Sequence, residues 1–322
     1  MKKIILGLIL SALFIYLSLR GIDMDALLHS LKRIDFSYAL ISAVILVVMQ
    51  IVRSVRWGVL LAPLEKVSQP VLFAITSVGF LAIVAIPARL GELVRPYLIA
   101  KKSSIPMSSA LATIFMERLL DSVTVLIILA TTLILTPLPS WLVKSGVFVL
   151  GITVLAFVLI IFVHLKKEYL LNLSASLTRR LSPRWHGLTH TIGHFIGGFG
   201  IMADGKRFAI AGLFSLTFWL LDAFSIYLLL KAFKINLPFM AAVVIMLVLL
   251  VGIAIPTAPG FIGNWHFACV MGLAIFGIGK AEALSFAIVY HFITMIVILS
   301  LGLFFLPSYT FSFGDLKKSM RF

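Results

Sequence analysis

At 322 residues, 61% hydrophobic and only 12% charged, with a mean hydropathy of +1.15, the chain is not a soluble globular domain. A soluble domain would carry about twice that charged fraction. The formal net charge of +15, from 27 Lys+Arg against 12 Asp+Glu, would raise nucleic acid as a partner in a soluble protein. Here the excess sits in loops and tails, where the positive-inside rule and anionic lipid headgroups account for it, so no nucleic-acid partner is expected.

The composition points to one all-α polytopic membrane domain over residues 1–322. The single cysteine, Cys269, lies in an apolar run. It allows no internal disulfide and no CxxC metal spacing, so it reads as a small hydrophobe. No cofactor and no metal centre are expected.

Met1-Lys2-Lys3 precede the apolar run 4–19. The run meets Leu19-Arg20 with no small-x-small cleavage site, which predicts an uncleaved first helix with its N-terminus inside. Residues 20–36 mix acids and bases and suit a short interfacial helix. A second span follows at 37–61, ending in RSVRWGVLLAPL.

The run 71–86, VLFAITSVGFLAIVAI, reaches about 24 Å as a helix, short of a hydrocarbon core of about 30 Å. The charged stretch PARLGELVRPYLIAKK follows at once. A helix begun at Pro87 would set Arg89, Glu92 and Arg95 along one side. Residues 107–135 form a long span carrying Glu117, Arg118 and Asp121. The turn TPLPS leads to a span at 142–163.

Residues 164–207 carry seven Lys or Arg against Glu168 and Asp204, which marks a basic cytoplasmic loop. His164, His186, His190 and His194 belong to it or to its edge and read as solvated. Further spans cover 208–230, 240–255, roughly 266–278 and 282–306, and the basic tail should lie inside.

N-terminus, basic loop and tail can all be cytoplasmic only if two segments do not cross singly. Residues 71–102 must enter and leave on the inside, and 240–278 on the outside. Both break at the same tripeptide, Ala85-Ile86-Pro87 and Ala254-Ile255-Pro256; the second continues with Pro259, Gly260 and Gly263. The expected architecture is about six full transmembrane helices plus two broken or re-entrant helical hairpins. They form an inverted repeat of 1–135 and 142–306, the usual sequence pointer to a transporter-type site near the midplane.

Ionisable groups inside the membrane are costly and functional by default. Arg53 and Arg56, one turn apart beside Trp57, either snorkel to headgroups with Trp57 in the aromatic belt or hold a lipid phosphate. Arg89, Glu92 and Arg95 should pair with Glu117, Arg118 and Asp121, as a clamp on the hairpin or as a substrate or proton pathway. Glu117 and Asp121 share a helix face and Arg118 points about 100° away. Asp222, alone in FWLLDAFSIY, needs a partner from another helix or from substrate. His266 and His291 read as hydrogen-bonded packing residues, or with Asp222 as a proton relay or weak metal site. No nucleophile elbow, Walker loop, GxGxxG or HExxH is present, which argues against ATP-driven pumping by this chain.

The set RxxRW at 53–57, PARLGELVRPYL at 87–98, ERLLD at 117–121 and PTAPGFIG followed by a His-containing span resembles the lysylphosphatidylglycerol synthase transmembrane family, also called the flippase-like domain. In that family's best-known members the membrane domain is joined to a cytoplasmic aminoacyl-transferase. The transferase makes lysyl-phosphatidylglycerol, and the membrane domain is held to move it to the outer leaflet. The resemblance therefore implies the translocation half, with the lipid made by a separate lipid-modifying transferase or of another kind. Many members carry Glu and Arg where this chain has His266 and His291, which leaves the substrate open.

The reading is a flippase for a phospholipid, aminoacyl-phospholipid or polyprenyl or glycolipid headgroup in the cytoplasmic membrane. Membrane lipids are its partners, and a homo-oligomer is compatible with the sequence. Arg53, Arg56, Arg89 and Arg95 would hold an anionic headgroup. Glu92, Glu117, Asp121 and Asp222 would orient them or accept a cationic group. Gly91, Gly260 and Gly263 would let backbones approach, and helix starts after Pro87 and Pro259 would aim amides at phosphate. The alternatives are an intramembrane enzyme or accessory subunit for lipid-linked sugar or aminoacyl transfer, and a scaffold that recruits partners through 164–207.

Overall fold

The computed structural model describes residues 2–86, 91–166, 168–169, 186–255 and 257–309, and every regular element among them is helical. In order these are α1 (Lys2–Leu19), α2 (Met24–Lys32), α3 (Phe36–Leu61), α4 (Gln69–Ala85), α5 (Val94–Lys102) and α6 (Met107–Leu135). They continue with α7 (Ser140–Leu165), α8 (His186–Gly197), α9 (Gly205–Ala232), α10 (Phe239–Ala254), α11 (Asn264–Ala274) and α12 (Lys280–Phe305).

The helix starts are written locally. Asp35 caps α3 by accepting from Ser37 N at 2.9 Å, and Asp204 caps α9 by accepting from Arg207 N at 3.0 Å. Pro106, Pro139 and Pro238 stand at the N-caps of α6, α7 and α10, where a missing N–H costs nothing.

Among the described residues five helices, α3, α6, α7, α9 and α12, are long and apolar enough to cross a membrane, so this is a multi-pass integral membrane protein. The number rises to six if α1 and α2 are taken as one span bent by 88°. The basic segment 164–207 is not wholly a loop, since it contains α8. Ser109 Oγ of α6 donates to the His194 carbonyl of α8 at 2.7 Å, and His194 is exposed.

The two charged or glycine-rich breaks are hairpins. A Cβ on Gly91 would collide with the backbone of Ala82 and Ile83, and one on Gly79 would collide with the Arg95 stem. The chain therefore doubles back against the end of α4. With nine residues α5 is about 14 Å long and cannot cross a core of about 30 Å. The α-helix does not begin at Pro87: Gly91–Leu93 form a 3-10 turn and α5 starts at Val94, so Glu92 and Arg95 sit on different segments.

In the second hairpin Gly252 abuts Ala268 while Gly272 abuts Ile245, which makes α10 and α11 antiparallel. Its turn uses left-handed backbone at Gly260 (φ 71°), Phe261 (φ 57°) and Gly263 (φ 98°). Asn264 Nδ2 donates to the carbonyls of Gly252 at 3.0 Å and Ile255 at 3.1 Å, which satisfies the end of α10. Pro87, Arg89 and Pro256 lie outside the described residues.

The helix order α3, α4–α5, α6 recurs as α9, α10–α11, α12. One constant interval separates Asp35 from Asp204, Arg53 from Asp222, Ala85 from Ala254 and Gly91 from Gly260. One buried apolar cluster draws mainly on α9–α12 and another on α3–α6. The halves join along α3 and α9, where the Ser42 and Ser225 hydroxyls meet at 2.8 Å. The α1 helix crosses to the second hairpin: Ser11 Oγ donates to the Ile262 carbonyl and Phe14 packs on Phe267 at 5.2 Å.

If the close approach at Gly91 fixes the first hairpin, Gly91→Ala should destabilise the protein by about 1–3 kcal/mol through overpacking. Gly212→Ala, where an added Cβ meets nothing within 4 Å, should change it by less than about 0.5 kcal/mol. Thermal unfolding in detergent, read by size-exclusion chromatography, compares the two.

Candidate functional site

Between the two halves lies a cavity of about 1040 Å³, walled by α3, α4, α6, α7, α9, α10 and α12. Most of its lining is apolar, including Leu46, Met49, Leu126, Phe148, Leu250 and Ile298. Set into that lining are Gln50, Arg53, Arg56, Glu92, Arg118, Asp121 and Asp222. The charged groups are thus concentrated around one void bounded by membrane-crossing helices.

One wall is an ion network centred on Glu117 of α6, whose side chain is fully buried. Arg95 of α5 reaches it with two parallel hydrogen bonds, Nη1 to Oε1 at 3.1 Å and Nη2 to Oε2 at 3.0 Å. Arg56 Nη2 of α3 is 3.3 Å from the same carboxylate. Arg56 Nη1 also donates to Asp121 Oδ1, and its Nη2 donates to Oδ2 at 3.3 Å. Ser215 Oγ of α9 takes a further Arg56 hydrogen bond at 2.7 Å, and Trp219 Nε1 donates to Asp121 at 3.2 Å.

The expected pairing of Arg95 with Glu117 is present. Arg56 differs from both readings of it: its side chain is 1% exposed, so it neither snorkels nor opens wholly to the cavity. Trp57 is likewise no membrane-belt residue. It is fully buried, donates Nε1–H to Thr113 Oγ1 at 3.1 Å, and carries the Arg95 guanidinium over its ring at 4.3 Å. The reason is charge balance, since Glu117 and Asp121 together can hold guanidinia from two other helices.

Arg118 leaves α6 in another direction, yet its long side chain folds back. Its Nη2 reaches Glu117 Oε1 at 2.7 Å and its Nη1 lies 3.6 Å from Asp121 Oδ2. Its side chain remains 46% exposed, towards the cavity it lines. Three guanidinia therefore share two carboxylates, and the excess positive charge faces the void.

Arg53 stands apart from this network. Its Nη1 donates to Gln50 Oε1 at 2.7 Å, and its guanidinium lies over Phe80 at 3.7 Å and Phe218 at 4.7 Å. Among the described residues no carboxylate comes within 4.0 Å of it. Across the cavity Asp222 receives the Tyr290 hydroxyl of α12 at 2.9 Å, a partner from another helix as expected. No described cation lies within 4.0 Å of Asp222 or of Glu92.

Residues 4–302 match the family described as the lysylphosphatidylglycerol synthase TM region. The chain belongs to this family. It is also similar to a UPF0104 membrane protein of Methanothermobacter thermautotrophicus, 23% identical over 329 residues, covering 97% of this chain and 96% of that protein. No solved structure matches it. Within this family member the matched span contains every helix lining the cavity.

His266 and His291 do not line the cavity. They brace the second break: His291 Nε2 is 2.7 Å from the Gly260 carbonyl, and Gly263 N donates to His266 Nδ1 at 3.4 Å. Their rings lie 4.8 Å apart. Among the described residues no group of three His, Cys, Asp or Glu side chains converges as metal ligands would.

Several cavity residues escape a reading of charge alone. Gln50 is a lone polar residue three positions before Arg53, which is its signal. Trp219 three before Asp222 is a weaker one. Phe80, Phe218, Trp265 and Tyr290 are indistinguishable in sequence from packing aromatics.

Breaking a buried ion pair by removing one partner costs about 3–5 kcal/mol, because the other charge is stranded. Glu117→Gln should therefore lower stability by that order and release α5 from α6. Arg118→Gln, whose side chain is half-exposed, should cost much less. Thermal unfolding in detergent, with protease sensitivity near Arg95, distinguishes the two outcomes.

Proposed function

We propose that this chain is a translocase carrying a lipid with a charged headgroup across the cytoplasmic membrane. The observation that carries this reading is the cavity: charged side chains line an apolar void of about 1040 Å³ between membrane-crossing helices. Such groups are expensive in a membrane unless they serve a pathway. A headgroup would sit against Arg53 and Arg118 while its tails run along the apolar lining or in the bilayer. The carboxylates Glu117 and Asp121 hold Arg56, Arg95 and Arg118 in position. Glu92, Asp222 and Arg89 complete the proposed headgroup site.

The family's description ties this membrane region to a lysylphosphatidylglycerol synthase. That supports a phospholipid, aminoacyl-phospholipid or glycolipid as cargo, made by a separate transferase. The repeated helix order and the constant interval between its landmarks support an inverted repeat in which α3–α6 of the half 1–135 correspond to α9–α12 of the half 142–306, with α7 outside the matched part. Two such halves rocking about the α3–α9 contact would expose the cavity to each side in turn. The basic segment 164–207 supports cytoplasmic termini.

Reconstituted into vesicles with acyl-chain-labelled phospholipids, the protein should move label between leaflets faster than empty vesicles do. Arg53→Gln removes the cavity guanidinium that, among the described residues, stands outside the ion network, and should slow exchange about tenfold with the unfolding temperature little changed. Exchange at the wild-type rate in a folded Arg53→Gln protein would remove Arg53 from the path, and no exchange by the wild type would refute translocation.

A further inference from the structure

Arg53 and Asp222 occupy matching positions in the two halves of the chain, face the same cavity, and carry opposite charge. They nevertheless do not pair within 4.0 Å. What separates them is visible. Gln50 and Phe80 hold the Arg53 guanidinium on the α3–α4 side, while its other face meets Phe218 at 4.7 Å. Phe218 lies one helical turn, about 6 Å, before Asp222 on α9, so Arg53 packs against α9 one turn away from the aspartate.

Asp222 is held as firmly. The Tyr290 hydroxyl fixes Oδ1 at 2.9 Å, and Oδ2 has no hydrogen-bond partner among the described residues. Tyr290 stacks obliquely on Trp265 with ring centroids 5.4 Å apart, and Trp265 is only half-buried at the cavity edge. A carboxylate beside an aromatic face is the surrounding that selects an ammonium group. A guanidinium with open donors selects phosphate oxygens.

We infer that the cavity takes a headgroup carrying a phosphate and an ammonium together, with the phosphate at Arg53 and the ammonium at Asp222 beside Trp265. This rests on the translocase reading above and names its substrate class. Phosphoethanolamine, whose phosphate and ammonium are joined by a two-carbon linker, is the simplest headgroup of this class. In a low-dielectric site neither charge has a contact counter-ion within 4.0 Å among the described residues until such a headgroup supplies both. A purely anionic headgroup satisfies Arg53 but leaves Asp222 facing like charge.

The test uses the full chain in vesicles of equal parts phosphatidylethanolamine and phosphatidylglycerol. Three acyl-chain-labelled probes are compared: phosphatidylethanolamine, its N-acetylated form, and phosphatidylglycerol. Wild type should exchange the first about tenfold faster than the other two. Asp222→Asn should bring that ratio close to one. Trp265→Phe, whose indole N–H has no hydrogen-bond partner to lose, should lower the ratio severalfold and gives a second reading if the aspartate variant folds poorly.

A wild-type ratio near one, or one favouring phosphatidylglycerol, would overturn the inference while leaving translocation standing. So would a ratio unmoved by both substitutions. If no probe exchanges above empty vesicles, translocation fails first and the headgroup assignment falls with it.

Discussion

A fully buried carboxylate, Glu117, holds the first half of this protein together. Its two oxygens are shared by guanidinia from α3, α5 and α6, so a single side chain ties a long crossing helix, a nine-residue helix and its own helix. The short helix α5 has too little length to be anchored by apolar burial across a bilayer. The bidentate Arg95–Glu117 contact and the stacking of Arg95 on Trp57 replace what length would supply. Because Asp121 one turn later accepts from both Arg56 Nη atoms, the network also reaches α9 through Ser215 and Trp219. The scaffold and the charged wall of the cavity therefore share Arg56, Arg118 and Asp121.

The second hairpin achieves a similar shape with almost no charge. Gly252, Gly263 and Gly272 permit close approach, Gly260 supplies left-handed backbone, and Asn264 with the two histidines pairs with peptide groups of the turn. One half is thus closed by ion pairs and the other by neutral hydrogen bonds. That asymmetry gives the cavity one strongly polar wall, and on the opposite side Asp222 stands as an isolated charge.

Most of the fold was legible in the sequence because membrane helices announce themselves by length and apolar runs. The segments 107–135 and 37–61 agree with α6 and α3 to within a residue, and both hairpin breaks fall at the repeated Ala-Ile-Pro. The site was half legible. Charges inside apolar runs mark themselves, so Arg53, Arg56, Glu117, Asp121 and Asp222 stand out by type. Which of them face a void is a matter of rotation about helix axes, and apolar runs with little amphipathic pattern do not encode that rotation. Hence Arg56 reads as a headgroup ligand in sequence and is a buried strut in space. Of the two readings of His266 and His291, packing or a relay with Asp222, the hydrogen bonds to the turn at Gly260 and Gly263 fit the packing one.

The seat of α1 on the second hairpin has a consequence for how the chain is made. Ser11 and Phe14 dock on Ile262 and Phe267, partners separated from them by about 250 positions of sequence. Helix α1 is therefore made well before its seat, and it stands without these contacts until the second hairpin has been inserted. Contacts of such separation form late. A nascent chain stalled before residue 260 would carry an α1 with no seat.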